Sequence, residues 1–147
     1  MTKEETESLL KEAKIARFCS LNKDGTIHAV PVWYKYENGQ IAIFTPDASR
    51  KARNVRRNHN VTVLVDISEG GVWPRCAIVY GKAEMDYDNV FPSLVSALER
   101  YRPKDKTEAY ARGLFKLTKW VKIIVKPERI ASFDYSKDEA YRTATEE

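Results

Sequence analysis

The stretch Ile27-His-Ala-Val-Pro-Val-Trp-Tyr-Lys-Tyr-Glu37-Asn-Gly39-Gln40-Ile-Ala-Ile-Phe-Thr45 decides the fold. Both residues of Asn38-Gly39 take positive φ cheaply, so two apolar strand-like runs, Ile27 to Tyr36 and Gln40 to Thr45, close into a tight hairpin. Working outward on the N-terminal side, Lys23-Asp-Gly-Thr26 is a second turn, and it joins Ile15 to Asn22 as a further strand. Residues 4 to 14 before it place Leu9, Leu10 and Ala13 on one side of a short helix. On the other side, Pro46 to Asn58 reads as a short helix and Asn60 to Asp66 as a strand. A loop containing Gly70-Gly71 then leads to a long strand, Arg75 to Met85, broken at Gly81. Phe91, Leu94, Val95, Leu98 and Tyr101 recur at helical spacing behind an Asp88 or Asn89 cap, with Pro92 in the first turn. A second short helix is expected from Lys106 to Leu114, then strands at Trp120–Val125 and Arg129–Asp134, and a polar tail over residues 136–147. Antiparallel strands with few helices and no βαβ alternation predict a mainly β (α+β) domain, a closed or partly closed barrel with flanking helices.

At 147 residues the chain suits one domain, and 43% hydrophobic with 31% charged residues excludes wholesale disorder. The longest apolar run, Ala29 to Tyr34, is far below the roughly 18–20 residues of a membrane span, and the polar, acidic first residues do not resemble a secretory signal. A cytoplasmic protein is expected, without a membrane partner. Cys19 and Cys76 lack disulfide or zinc spacing and read as buried thiols, and His28 and His59 form no metal cluster.

The net charge is only +4, yet Arg50, Lys51, Arg53, Arg56 and Arg57 fall within eight residues that contain no acid. Ser49 is a good N-cap, but the cations after it occupy the first helical turn, where the helix dipole disfavours positive charge. A bound anion removes that conflict, because backbone N–H groups, the Ser49 hydroxyl and the Arg50 and Lys51 side chains then converge on it. The pattern fits a phosphate site or, alternatively, a solvated basic face. Pro31 poses a second conflict, since proline has no N–H for a sheet ladder. Either a flat ligand lies along this strand, or Pro31 marks an edge with a bulge. A nucleic-acid surface built from Arg50–Arg57, Arg100, Arg102 and Lys104 is the weaker reading, for Trp33, Tyr34 and Tyr36 form no evident stacking platform.

Ala29-Val-Pro-Val-Trp-Tyr34, Ile43-Phe-Thr45, Ser49-Arg-Lys51 followed by Asn54-Val-Arg-Arg-Asn58, and Val79-Tyr-Gly-Lys-Ala-Glu84 together resemble the pyridoxamine 5′-phosphate oxidase-like, FMN-binding split-barrel family. The resemblance covers about residues 10 to 134. It implies a six-stranded antiparallel split barrel over residues 1–135 and a homodimer with cofactor sites at the subunit interface. It places the FMN phosphate on Ser49, Arg50 and Lys51 with Thr45, and the ring and ribityl contacts on His28, Ala29, Val30, Pro31, Val32, Trp33 and Phe44. The implied activity is that of a flavoprotein oxidoreductase moving hydride or electrons between a reduced nicotinamide or other donor and a small-molecule acceptor. Alternatives are a deazaflavin-dependent reductase, suggested by Pro31-Val-Trp-Tyr34, and a non-catalytic flavin or haem carrier. Cys76 stands where the oxidases often carry a glutamine, and Glu139–Glu147 holds no Arg-Leu-His-type motif, so oxidation of vitamin B6 is not expected. Neither a catalytic residue nor a metal ligand is assigned. Trp73, Arg75, Cys76 and Trp120 are left open as cofactor contacts from the same or the partner chain.

Overall fold

A computed structural model describes residues 1–68 and 74–146. Helix α1 (Lys3–Glu12) starts at a capping box in which Thr2 and Glu5 exchange two 3.1 Å hydrogen bonds. Strands β1 (Ile15–Leu21), β2 (Ile27–Glu37) and β3 (Gln40–Pro46) precede helix α2 (Arg50–Arg57). They are followed by β4 (Asn60–Ile67), β5 (Arg75–Asp86), α3 (Val90–Leu98), α4 (Lys104–Leu117), β6 (Trp120–Asp134), a 3-10 turn (Tyr135–Lys137) and α5 (Glu139–Glu146). The strands close an antiparallel barrel in the order β1-β2-β3-β6-β5-β4. Asn38 (φ 53°) and Gly39 (φ 72°) make the expected hairpin turn between β2 and β3.

The barrel is filled by inward side chains that alternate along each strand, among them Phe18, Ile41, Ile43, Val63, Val79 and Ile123. Leu9, Leu10 and Ala13 of α1 pack against the same core. The Tyr34 hydroxyl ties the two together, lying 2.6 Å from the Leu10 carbonyl and 2.9 Å from the Ala13 carbonyl. Its burial pushes its pKa up to about 12. A second, smaller core holds α3 and α4 together through Leu94, Leu98 and Ala111, with Trp33 and Phe44 of the sheet packed against it.

Two elements differ from the sequence expectation. The last two expected strands are one continuous β6, because the irregularity at Pro127 is absorbed by Gly81 on β5. A Cβ at Gly81 would collide with the Lys126 carbonyl, so only glycine lets β6 pass Pro127 without ending the ladder. The helix expected from Lys106 begins at Lys104, directly after Pro103, and runs on to Leu117. The Gly70-Gly71 loop lies outside the described residues.

The barrel is split by an abrupt change of partner along β2. Its first half, Ile27 to Trp33, pairs with β1, whereas only Tyr34 to Glu37 pair with β3, which continues alongside β6. Glu37 and Gln40 flank a two-residue turn and so form a hydrogen-bonded pair. By alternation, the backbone groups of Trp33, Pro31 and Ala29 point to the side that β3 has left. The conflict at Pro31 is thereby resolved, since its missing N–H faces the split, where no ladder needs it.

Candidate cofactor cleft

Where β2 and β3 part, a cleft of about 370 Å³ opens, lined by Pro31, Val32 and Trp33 on one side and Phe44, Thr45 and Pro46 on the other. Lys51 of α2, Leu94 of α3, Leu114 of α4 and Trp120 of β6 complete it, with Ile15. The walls are largely apolar, and Lys51 supplies the positive charge. The volume falls in the range of small-ligand sites, about 300–1,000 Å³.

The Ser49 hydroxyl caps α2 by accepting from the Ala52 N–H (3.2 Å) and also accepts from Thr45 Oγ1 (2.9 Å). Its own hydrogen is therefore left for a further acceptor. The N–H groups of Arg50 and Lys51 have no acceptor within the helix, as first-turn donors never do. Neither side chain has an acidic partner within 4 Å among the described residues. Burial holds the Lys51 ammonium below its usual pKa. His28 is also lowered, first by desolvation and then by the charges of Lys51 and Arg50, so three basic groups converge on this turn. Such a concentration of unpartnered donors and cations fits a dianionic phosphate. Farther along the basic run, Arg53 is exposed, while Arg56 and Arg57 are engaged elsewhere. Arg56 bonds Asp47 and Tyr87, and Arg57 donates to the Leu21 carbonyl and to Asn54. Asn54, buried, anchors α2 to β1 by donating to Ser20 Oγ and Asn22 Oδ1, both at 3.0 Å.

The cleft thus gathers Pro31, Val32, Trp33, Phe44, Thr45 and Lys51, with Ser49 joined through Thr45. Arg50 is exposed at the helix start. Ala29 is exposed on the outer face of β2, and Val30 packs against the barrel core, so neither side chain lines the cleft. The Trp33 indole is fixed from behind, stacked on Tyr101 at 5.4 Å and tilted against Tyr110 at 6.2 Å. Tyr101 also accepts from the Tyr34 N–H (3.1 Å) and donates to the Lys14 carbonyl (2.6 Å), replacing the strand partner that β1 no longer provides. Trp120, left open by the sequence, lines the cleft from the same chain, its Nε1–H donating to the Leu114 carbonyl. Leu94 and Leu114 were readable only as apolar helix positions, since helical spacing says that a residue is covered but not by what. Arg75 pairs with Glu12, Cys76 is buried, and Trp73 lies outside the described residues.

Fold and cleft together define a split-barrel protein with an anion-receptive helix start opening onto an apolar slot. The chain belongs to the pyridoxamine 5′-phosphate oxidase family, whose model matches residues 2–118. No curated protein matches its sequence significantly. Among solved structures it is similar to a conserved hypothetical protein from Mycobacterium tuberculosis, at 24% identity and TM-score 0.78, covering 92% of this chain and 86% of that one. It is also similar to an F420 reductase (22% identity, TM-score 0.65, 85% of this chain and 94% of that one). A third is the FAD-binding protein from Mycobacterium smegmatis (18% identity, TM-score 0.63, 92% and 97%). At these identities the likeness concerns the fold.

Proposed function

We propose that the protein is a flavin-dependent oxidoreductase that anchors FMN by its 5′-phosphate at the start of α2. The observation that carries this reading is the convergence of Ser49, Arg50, Lys51 and two unpartnered backbone N–H groups beside an apolar slot edged by an unpaired stretch of β2. When bound, the flavin supplies hydride or electron transfer between a reduced nicotinamide or similar donor and a small-molecule acceptor. The chain's own residues bind and orient. Ser49 donates to a phosphate oxygen while Lys51 and Arg50 balance its charge. The Trp33 N–H and the carbonyls of Pro31 and Ala29 face the split and are placed to meet the polar edge of a flat ring. Val32, Phe44, Leu94 and Leu114 keep water from its faces. No described side chain has to act as acid or base.

A second copy of the chain is part of the proposal. The outward side chains of β2 and β1 next to the cleft include Ile27 (69% exposed), Ala29, Pro31 and Cys19, an apolar stripe continuous with the split edge. A homodimer through this face would bury the stripe and bring each partner to the rim of the other's cleft. No helix among the described residues is long and apolar enough to cross a membrane. The proposed setting is the cytoplasm, where both free thiols stay reduced.

A deazaflavin is the second reading, favoured by the fold shared with an F420 reductase. The test is the absorption spectrum of the purified protein, with mass analysis of any molecule released by heat. A flavin spectrum supports FMN, and tight binding of a deazaflavin with none of FMN reverses the order. A colourless protein that binds neither refutes both.

A further inference from the structure

The β1–β2 ladder ends where Ile15 lies opposite Trp33, and β3 pairs with β2 only from Tyr34 onward. At the other end of that ladder the Asn22 N–H donates to the Thr26 carbonyl, which fixes the alternation. Tyr34 therefore turns its backbone groups toward the β1 side, level with Lys14, a residue that precedes β1. Arg100 and Tyr101, just past the end of α3, occupy that place instead. The Tyr34 N–H donates to the Tyr101 hydroxyl (3.1 Å), which in turn donates to the Lys14 carbonyl (2.6 Å), and Arg100 donates to the Tyr34 carbonyl. Burial pushes the Tyr101 pKa up, so the hydroxyl keeps the proton it donates. Arg100 also grips the Lys11 and Ala13 carbonyls at the end of α1, and the Tyr101 ring lies against the Trp33 indole.

A trans peptide is planar, and its N–H and C=O point in opposite directions. The peptide that supplies the Tyr34 N–H carries the Trp33 carbonyl at its other end. Holding that N–H toward Lys14 thus aims the Trp33 carbonyl into the split, where Phe44 would have been the next ladder partner. We propose that Tyr101 is a positioning residue for the cofactor ring: through this one peptide it fixes the Trp33 carbonyl as acceptor for the ring's imide N–H. The inference rests on the flavin reading and deepens it. An oxidised flavin has one ring N–H, at N3 between two carbonyls, and a deazaflavin shares that edge. The Trp33 N–H, on the same side of β2, suits one of those carbonyls. Ser49 and Lys51 serve the phosphate at the opposite end of the cofactor, so the two ends can be perturbed separately.

The test titrates FMN, riboflavin and 3-methyl-FMN, in which a methyl replaces the N3 hydrogen, into the full-length apoprotein, following flavin fluorescence. Wild type should bind FMN at least about 10-fold more tightly than 3-methyl-FMN, because the methyl leaves the carbonyl without its donor. Tyr101→Phe keeps the ring on Trp33 and removes the hydroxyl. It should weaken FMN and riboflavin alike, by about 2- to 12-fold, the range of one net hydrogen bond, and leave their ratio unchanged. Affinity for 3-methyl-FMN should stay within about twofold. Equal weakening of all three ligands, weakening of FMN alone, or no weakening overturns the inference and leaves the flavin reading standing. Equal binding of FMN and 3-methyl-FMN by wild type does the same and depends on no variant. Wild type that binds no flavin overturns both.

Discussion

Lys51 carries a test whose two readouts should move in opposite directions. In the protein without ligand, its ammonium is partly buried in the cleft, close to His28, and has no acidic partner within 4 Å among the described residues. A cation in the first turn of a helix is unfavourable by about 0.3–1 kcal/mol. Lys51→Met keeps the apolar stem and removes the charge, so the free protein should gain up to about 1 kcal/mol, roughly 2–4 °C in melting temperature for a chain of this size. With phosphate in place, the same ammonium makes a charge-assisted hydrogen bond worth about 1.5–3 kcal/mol. The variant should therefore bind FMN roughly 10- to 150-fold more weakly. Calorimetric or fluorescence titration gives the affinity, and thermal denaturation of the free protein gives the stability. High salt should narrow the difference between wild type and variant, because the lost interaction is electrostatic. An FMN affinity within twofold of wild type, or a free protein destabilised by several degrees, would refute the assignment and return Lys51 to a structural role.

Three further outcomes are expected. His28 is neutral in the native protein at pH values where the unfolded chain already binds a proton, so stability should fall as pH drops through and below about 6.5. His28→Asn should flatten that acid limb in urea denaturation, and phosphate binding should raise the His28 pKa seen by NMR. Gly81→Ala should cost more than about 1 kcal/mol in chemical denaturation, because the new methyl meets the Lys126 backbone carbonyl, which cannot step aside without breaking the β5–β6 ladder. Tyr101→Phe should keep the stack on Trp33 but leave the Tyr34 N–H without its hydroxyl acceptor, costing about 1–3 kcal/mol.

The fold was legible wherever local chemistry forces a conformation. Asn38-Gly39 announces a hairpin because few other pairs take positive φ at both positions. The basic turn was legible for the opposite reason, as Arg50 and Lys51 stand where the helix dipole opposes them, and a violated preference is more informative than a satisfied one. Pro31 shows the same logic at one remove. The sequence reveals the broken rule, but the remedy, an unpaired edge facing a split, depends on β3 leaving β2 after Ile43. The expected gap between Val125 and Arg129 is instead continuous strand, because the tolerance of Pro127 within it is set by Gly81, more than forty residues away. The far walls of the cleft, Leu94, Leu114 and Trp120, come from elements brought in by the helix pair and the last strand. Periodicity marks such residues as covered but is silent on whether protein or ligand covers them. Helix α4 outran its expected end because Leu117, 79% exposed, lies off the apolar face that the helical pattern follows.

The central claim is that a flavin is held here through its phosphate, and FMN against riboflavin tests it most directly, since the two differ in that group alone. Titrated into the same apoprotein and followed by flavin fluorescence, FMN should bind at least about 100-fold more tightly than riboflavin, as two or more charge-assisted contacts at Ser49, Arg50 and Lys51 require. Equal binding of riboflavin and FMN, or no binding of either, would contradict the account.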